Sequence, residues 1–222
     1  MLGGACSPSV GPIAVGPDCP EKPFRGPEQY ADEPGDLLVS DFEVGTKDLA
    51  KVAGRDGSWV LGDDGTSETL TAQPTMACAA RDRWAGHFAA LGYKSWGANW
   101  TAIFRSGAGA VPYDARAYGG ISFWAAFGAD NGPSFSVPFG IVTMDTAWNS
   151  LVCSPCDDHY LTTVPLTRDW QRYVVRFEDM DQGGWGSPQT PMRRDQFVGF
   201  VIWPKQPVQQ FDIWIDDVRF EP

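Results

Sequence analysis

The chain has 222 residues and a net charge of −11, with 43% hydrophobic and 13% aromatic residues. Such a field repels nucleic acid and anionic lipid, and no Lys/Arg-rich run offsets it, so a neutral or cationic ligand or a hard metal cation fits better. No stretch reaches the roughly 20 consecutive apolar residues of a membrane-spanning helix, which leaves a lipid anchor as the expected route to a membrane.

Residues Met1 to Cys6 read M-L-G-G-A-C, which resembles the lipobox of a bacterial lipoprotein precursor. Two readings stand: acylation of Cys6 within a longer precursor, or a short accidental match, because no basic n-region or apolar core precedes it. With Cys6 set aside, Cys19, Cys78, Cys153 and Cys156 remain, an even number that permits two disulfides. Cys153-Ser154-Pro155-Cys156 is a C-x-x-C, but it has no second pair for zinc and no helix pattern after it, and Asp157 and Asp158 disfavour a thiolate. A structural disulfide in an oxidising compartment is the more economical reading, with Cys19 and Cys78 as the other pair. The expected location is therefore secreted, or the outer membrane or cell surface of a bacterium.

From Ser7 to Gly35 the chain carries seven Pro and four Gly with few large apolar residues. It cannot build a packed core and reads as an extended spacer. Residues 1–35 are thus expected to be a tether, and 36–222 one domain expected to act as a monomer.

Beyond Gly35, short β-branched and aromatic runs alternate with Gly/Pro/Asn/Asp clusters, and nothing keeps a helical period. Strands are predicted at 37–44, 58–61, 68–72, 87–93, 100–105, 120–127, 134–143, 161–166, 171–177, 197–203 and 211–220. That number of strands on one core implies two packed sheets, an all-β, two-sheet antiparallel β-sandwich. In 120–127, Ile121, Phe123, Ala125 and Phe127 share the inward face. Ser122, Trp124 and Ala126 face outward, where Trp124 is either a sugar-stacking platform or the floor under a packed loop. In 211–220, Phe211, Ile213 and Ile215 share a face with Val218 and Phe220 only if a β-bulge intervenes at Asp216-Asp217. Adjacent carboxylates there repel unless something positive lies beside them.

The segments Asp41-Phe42-Glu43, Asp114 to Trp124, Trp170-Gln171-Arg172-Tyr173 and Phe211 to Val218 together resemble bacterial carbohydrate-binding modules of the jelly-roll, galactose-binding-like type. Such modules accompany endoglucanases and xylanases or occur as free-standing lipoproteins, and the resemblance spans nearly all of 36–222. It implies non-catalytic binding of a polysaccharide or glycan. It also implies a structural Ca²⁺ tying the first strand to the last through Glu43 and Asp216, with Asp41 and Asp217 as further candidates and loop carbonyls completing the shell.

The resemblance assigns no ligand residue. The sequence itself nominates Trp124, Trp148, Asp158, His159, Tyr160 and Trp185. Trp148 and Asp158-His159-Tyr160 flank the C-S-P-C loop, and Trp185 lies in the Gly183-Gly184-Trp185-Gly186 turn, where a large ring is hard to bury. Each of the ten Trp is more often core filler than platform, which still leaves roughly three to spare. Two His, and no G-x-S-x-G, H-E-x-x-H or Walker loop, remove most nucleophilic and metallohydrolase schemes. A jelly-roll glycoside hydrolase or polysaccharide lyase stays open as an alternative, since acid pairs are plentiful, as does a structural or adhesion domain without a sugar site.

Overall fold

A computed structural model of the protein describes the backbone of residues 35–78, 83–128, 135–150, 152–186, 191–204 and 210–222, and the side chains of all of these but 76–78 and 83. Cys6, Cys19 and the side chain of Cys78 lie outside the described residues. The lipobox, most of the tether and the Cys19 with Cys78 pairing fall there with them.

Among the described residues eleven strands form two antiparallel sheets. They are β1 (Leu38–Ser40), β2 (Trp59–Asp63), β3 (Thr69–Cys78), β4 (Arg83–Leu91), β5 (Ala98–Ile103), β6 (Gly120–Phe127), β7 (Phe135–Thr143), β8 (Tyr160–Leu166), β9 (Gln171–Arg176), β10 (Phe197–Ile202) and β11 (Gln210–Glu221). The six-stranded sheet runs β3-β4-β11-β6-β9 with β1 also on β11, and the five-stranded sheet runs β2-β5-β10-β7-β8. Among the described residues the only helical pieces are short 3-10 turns. The predicted β-sandwich is the fold observed.

Period-two alternation assigns the side chains. Ile121, Phe123, Ala125 and Phe127 all enter the inter-sheet core, facing Phe139 and Phe200 from the other sheet. Trp59 and Trp100 stack tilted at 4.6 Å between centroids, with Phe42 and Phe88 against Trp100. Gly86 allows this close approach, because a Cβ there would lie 2.6 to 2.9 Å from the rings of Phe42 and Trp100. The predicted bulge is present: the β11–β6 register shifts between Asp216 and Arg219, and Asp217 adopts φ +46°. It sits where β4, paired with Gln210 to Ile215, gives way to β1, paired at Val218 and Arg219, along one edge of β11.

Some boundaries differ from the sequence reading. β1 is shorter because Phe42 takes a left-handed φ of +55° and the Gly45 amide turns back to the Phe42 carbonyl. β3 runs on through Pro74, which an edge strand tolerates. The entry to β1 is held by Arg55, a buried guanidinium that donates to the Tyr113 hydroxyl at 2.7 Å, to the Leu38 carbonyl at 2.8 Å and to the Asp36 carbonyl, and lies over the Tyr113 and Phe220 rings.

Trp100 is fully enclosed at the centre of this aromatic layer. Trp100→Ala is expected to lower unfolding free energy by about 3–5 kcal/mol. A urea titration should show the midpoint falling at constant slope, and an unmoved midpoint would remove Trp100 from the core.

Candidate functional site

The outer face of the five-stranded sheet is the floor of an open groove of about 1200 Å³. Alternation again decides what lies there. β5 turns Trp100 and Ala102 inward and leaves Asn99, Thr101 and Ile103 outward; on β10 both Phe197 and Phe200 point inward, and the register shift between Phe197 and Gly199 is what leaves Val198 on the floor. β2 adds Val60 and Gly62, and a Cβ on Gly62 would press on the Asn99 amide at 3.1 Å. The floor is therefore shallow, mixed in polarity and free of bulky side chains.

Aromatic rings rise around it. Trp148 and Trp185 are 71% and 51% exposed, and Trp96 is 42% exposed, standing edge-on to the more buried Trp203 at 6.2 Å. These three exposed Trp all line the same groove. Polar groups sit between them: Asp48, Asp56, Asp63, Asn99, Asp157, His159 and Arg105. His159 is held by a 2.9 Å bond between Nδ1 and Thr146 Oγ1, 3.9 Å from Asp157 and beside the Trp203 ring. Burial pushes the Asp157 carboxyl up from the ordinary range. Asp56 is pulled down, chiefly by the amide and hydroxyl of Ser106, each donating at 2.9 Å.

Of the residues nominated from sequence, Trp148, His159 and Trp185 meet in this groove. Asp158 lies at its edge but is buried, and its carboxylate accepts the amides of Gly183, Gly184, Trp185 and Gly186. Tyr160 begins β8 with its ring in the inter-sheet core, where burial first and the charges of Asp145 and Asp158 second push its phenol up to about 12. Trp124 lies on the outer face of the six-stranded sheet, packed against the cluster of Ala85, Ala126, Trp170 and Trp214. Trp170, from the β8–β9 connection, packs in the same cluster, and Trp124 stays partly exposed beside it.

Sequence reasoning missed Trp96 and Trp203. The signal was there for both: Trp96 precedes Gly97 in a polar turn, as Trp185 precedes Gly186, and Trp203 is one step out of phase with inward Phe200 and Ile202.

Cys153 and Cys156 form a disulfide in the loop between Trp148 and Asp157. The acidic residues nominated for metal binding lie at the β1–β11 junction. Asp41 follows Ser40 and Asp217 precedes its partner Val218, so the two acidic segments leave the same end of the ladder. Asp216 and Asp217 are buried, and Asp216 Oδ1 accepts the Asp217 amide at 2.8 Å. Arg219 lies 4.0 Å from Asp217. Among the described residues, no three His, Cys, Asp or Glu gather into a metal-holding group.

No protein-family model and no curated protein matches the chain. Solved structures do. The family 11 carbohydrate-binding module of the cellulosomal cellulase Lic26A-Cel5E of Clostridium thermocellum aligns over 84% of this chain and 94% of its own, with TM-score 0.57 and 11% identity. A family 11 module from the same organism, in complex with a β-1,3-1,4-mixed-linked tetrasaccharide, aligns over 80% and 95% with TM-score 0.52 and 11% identity. An exo-β-agarase aligns over 84% of this chain but 25% of its own, with TM-score 0.51 and 8% identity. At these identities the likeness is one of fold: the chain has the β-sandwich fold of bacterial carbohydrate-binding modules.

The raised Asp157 carboxyl sets a pH dependence. An acid whose folded pKa lies above its unfolded value costs stability when ionised, and the cost fades as pH falls through the folded pKa toward the ordinary 3.8. Asp157→Asn is therefore expected to raise the melting temperature at neutral pH, with the gap to wild type closing under acid. A gap independent of pH would mean that charge burial is not its cause.

Proposed function

We propose that the protein binds a polysaccharide, without covalent chemistry, along the outer face of its five-stranded sheet. The observation that carries this reading is the convergence of exposed Trp96, Trp148 and Trp185 on one shallow floor of mixed polarity. Sugars present apolar C–H faces and polar rims. Indole rings stack on the former, while Asn99, Thr101 and the aspartates exchange water for hydroxyls at small net gain per bond. Most of the binding free energy then comes from one to three ring platforms.

Four aspartates against Arg105 favour a neutral chain over a uronate or sulfated one. The mixed-linked tetrasaccharide held by the family 11 module makes a neutral β-glucan the first ligand to try. Secretion, acylation at Cys6 and a monomeric state belong to the same proposal; the Cys153–Cys156 disulfide supports an oxidising compartment.

Trp148→Ala and Trp185→Ala should each weaken β-glucan binding by at least about 1 kcal/mol, roughly fivefold, with the melting temperature nearly unchanged. Affinity electrophoresis or calorimetry reads the first quantity and thermal melting the second. Unchanged binding in both variants overturns the site, and release of reducing ends from the glucan overturns the absence of catalysis.

Calcium at the β1–β11 junction is a separate proposal. The burial of Asp216 and Asp217 and the placement of Asp41 and Glu43 beyond the paired strand support it. Main-chain carbonyls would supply most of the roughly six to eight oxygens calcium prefers. Arg219 offers a competing source of positive charge. Chelation should lower the melting temperature, calcium should restore it better than magnesium, and Asp216→Ala should abolish the response. If Arg219 alone neutralises the pair, the chelator leaves the curve unmoved and Arg219→Met lowers it.

A further inference from the structure

We propose that Asp158 is a positioning residue for the groove: its buried carboxylate holds the Trp185 platform in place and thereby sets affinity without touching the glycan. The inference rests on the glycan-binding reading of the groove.

Asp158 is 2% exposed although it belongs to a surface connection. Its Oδ1 accepts the Gly183 amide at 2.8 Å, and its Oδ2 accepts the amides of Gly184 at 2.8 Å, Trp185 at 3.0 Å and Gly186 at 3.0 Å. Gln182 Nε2 adds a 2.8 Å bond to the Asp158 carbonyl. Four successive main-chain donors converging on one carboxylate make a concave, charge-assisted nest.

The glycines around Trp185 are what permit it. Gly184 is left-handed at φ +81°, and a Cβ on Gly186 would lie 2.4 Å from the Asp158 Cβ. Asp158 itself cannot drift, because its neighbours are tied to the β7–β8 connection: the Asp157 amide donates to the Thr146 carbonyl and His159 bonds the Thr146 hydroxyl, each at 2.9 Å.

Trp185 is half exposed, so packing alone does not hold its loop over the groove. The nest orders that loop before any ligand arrives, so the ordering cost is not drawn from the binding free energy. An exposed ring on a free loop would have to be fixed by the sugar itself.

The experiment compares Asp158→Ala, Gly186→Ala, Trp185→Ala and the Asp158→Ala/Trp185→Ala double variant. Amide hydrogen exchange is read at 183–186, and binding is measured with mixed-linked β-glucan. Asp158→Ala and Gly186→Ala should speed exchange at these amides by at least about tenfold while β5 and β10 stay protected. Both should weaken glucan binding by about the same factor as Trp185→Ala, and the double variant should bind no more weakly than Trp185→Ala alone. Gly186→Ala keeps the carboxylate and only pushes the loop away, so it decides the matter if Asp158→Ala misfolds.

Unchanged exchange in either folded variant overturns the nest as the ordering device. Losses that multiply in the double variant overturn the link to Trp185. If wild type binds no glycan, the reading of the groove falls, while the exchange measurement still decides whether Asp158 orders the loop.

Discussion

The groove depends on a packing constraint elsewhere: the inter-sheet layer claims the large rings of the five-stranded sheet. Trp59 on β2, Trp100 on β5, Phe139 on β7 and Phe200 on β10 all point inward, where they meet one another and Phe123 of the facing sheet. With period-two geometry, each inward ring obliges its neighbours to face out. Those neighbours include Val60, Asn99 and Thr101, and the β10 register shift between Phe197 and Gly199 turns Val198 out beside them, all too small to close the surface. Core and open floor are two results of one alternation, and the rings that line the groove come from connections instead of strands, apart from Trp203 at the end of β10.

The same logic explains how much was legible beforehand. All eleven strands could be read because their runs alternate or are continuously apolar between turn residues. The β11 bulge could be read because Phe211, Ile213, Ile215, Val218 and Phe220 cannot otherwise share a face. Trp148 and Trp185 could be read from the small or polar company they keep. Trp124 shows the limit: alternation turns it outward but cannot say that Trp170 packs beside it. Adjacent positions show another limit, since His159 lines the groove while Tyr160, one step on, points into the core. The bonding of Asp158 was illegible because its four donors lie 25 to 28 residues away and become partners only through β8 and β9.

The two outer faces are built to different ends. On the six-stranded sheet, His87 stacks on Trp214 at 4.1 Å and bonds Asp212 at 2.8 Å, and Trp124 and Trp170 pack beside this group. His87 and Asp212 satisfy each other, and the indoles of Trp170 and Trp214 are buried, with Trp124 partly so. On the five-stranded sheet the indoles are raised and the carboxylates ring the floor. Among the described residues, the exposed indoles thus all stand on one side of the sandwich.

Arg55 adds a mechanical consequence. Leu38 lies opposite Arg219, so the chain enters β1 and leaves β11 at the same end of the ladder. Tension between those ends opens such a ladder one bond at a time, like a zip, instead of loading its bonds together. The guanidinium grips the carbonyls of Asp36 and Leu38 from the side, ahead of and at the first pair. A pull arriving at Asp36 must therefore break these two bonds, held by a guanidinium that is itself pinned over the Tyr113 and Phe220 rings, before it reaches the zip.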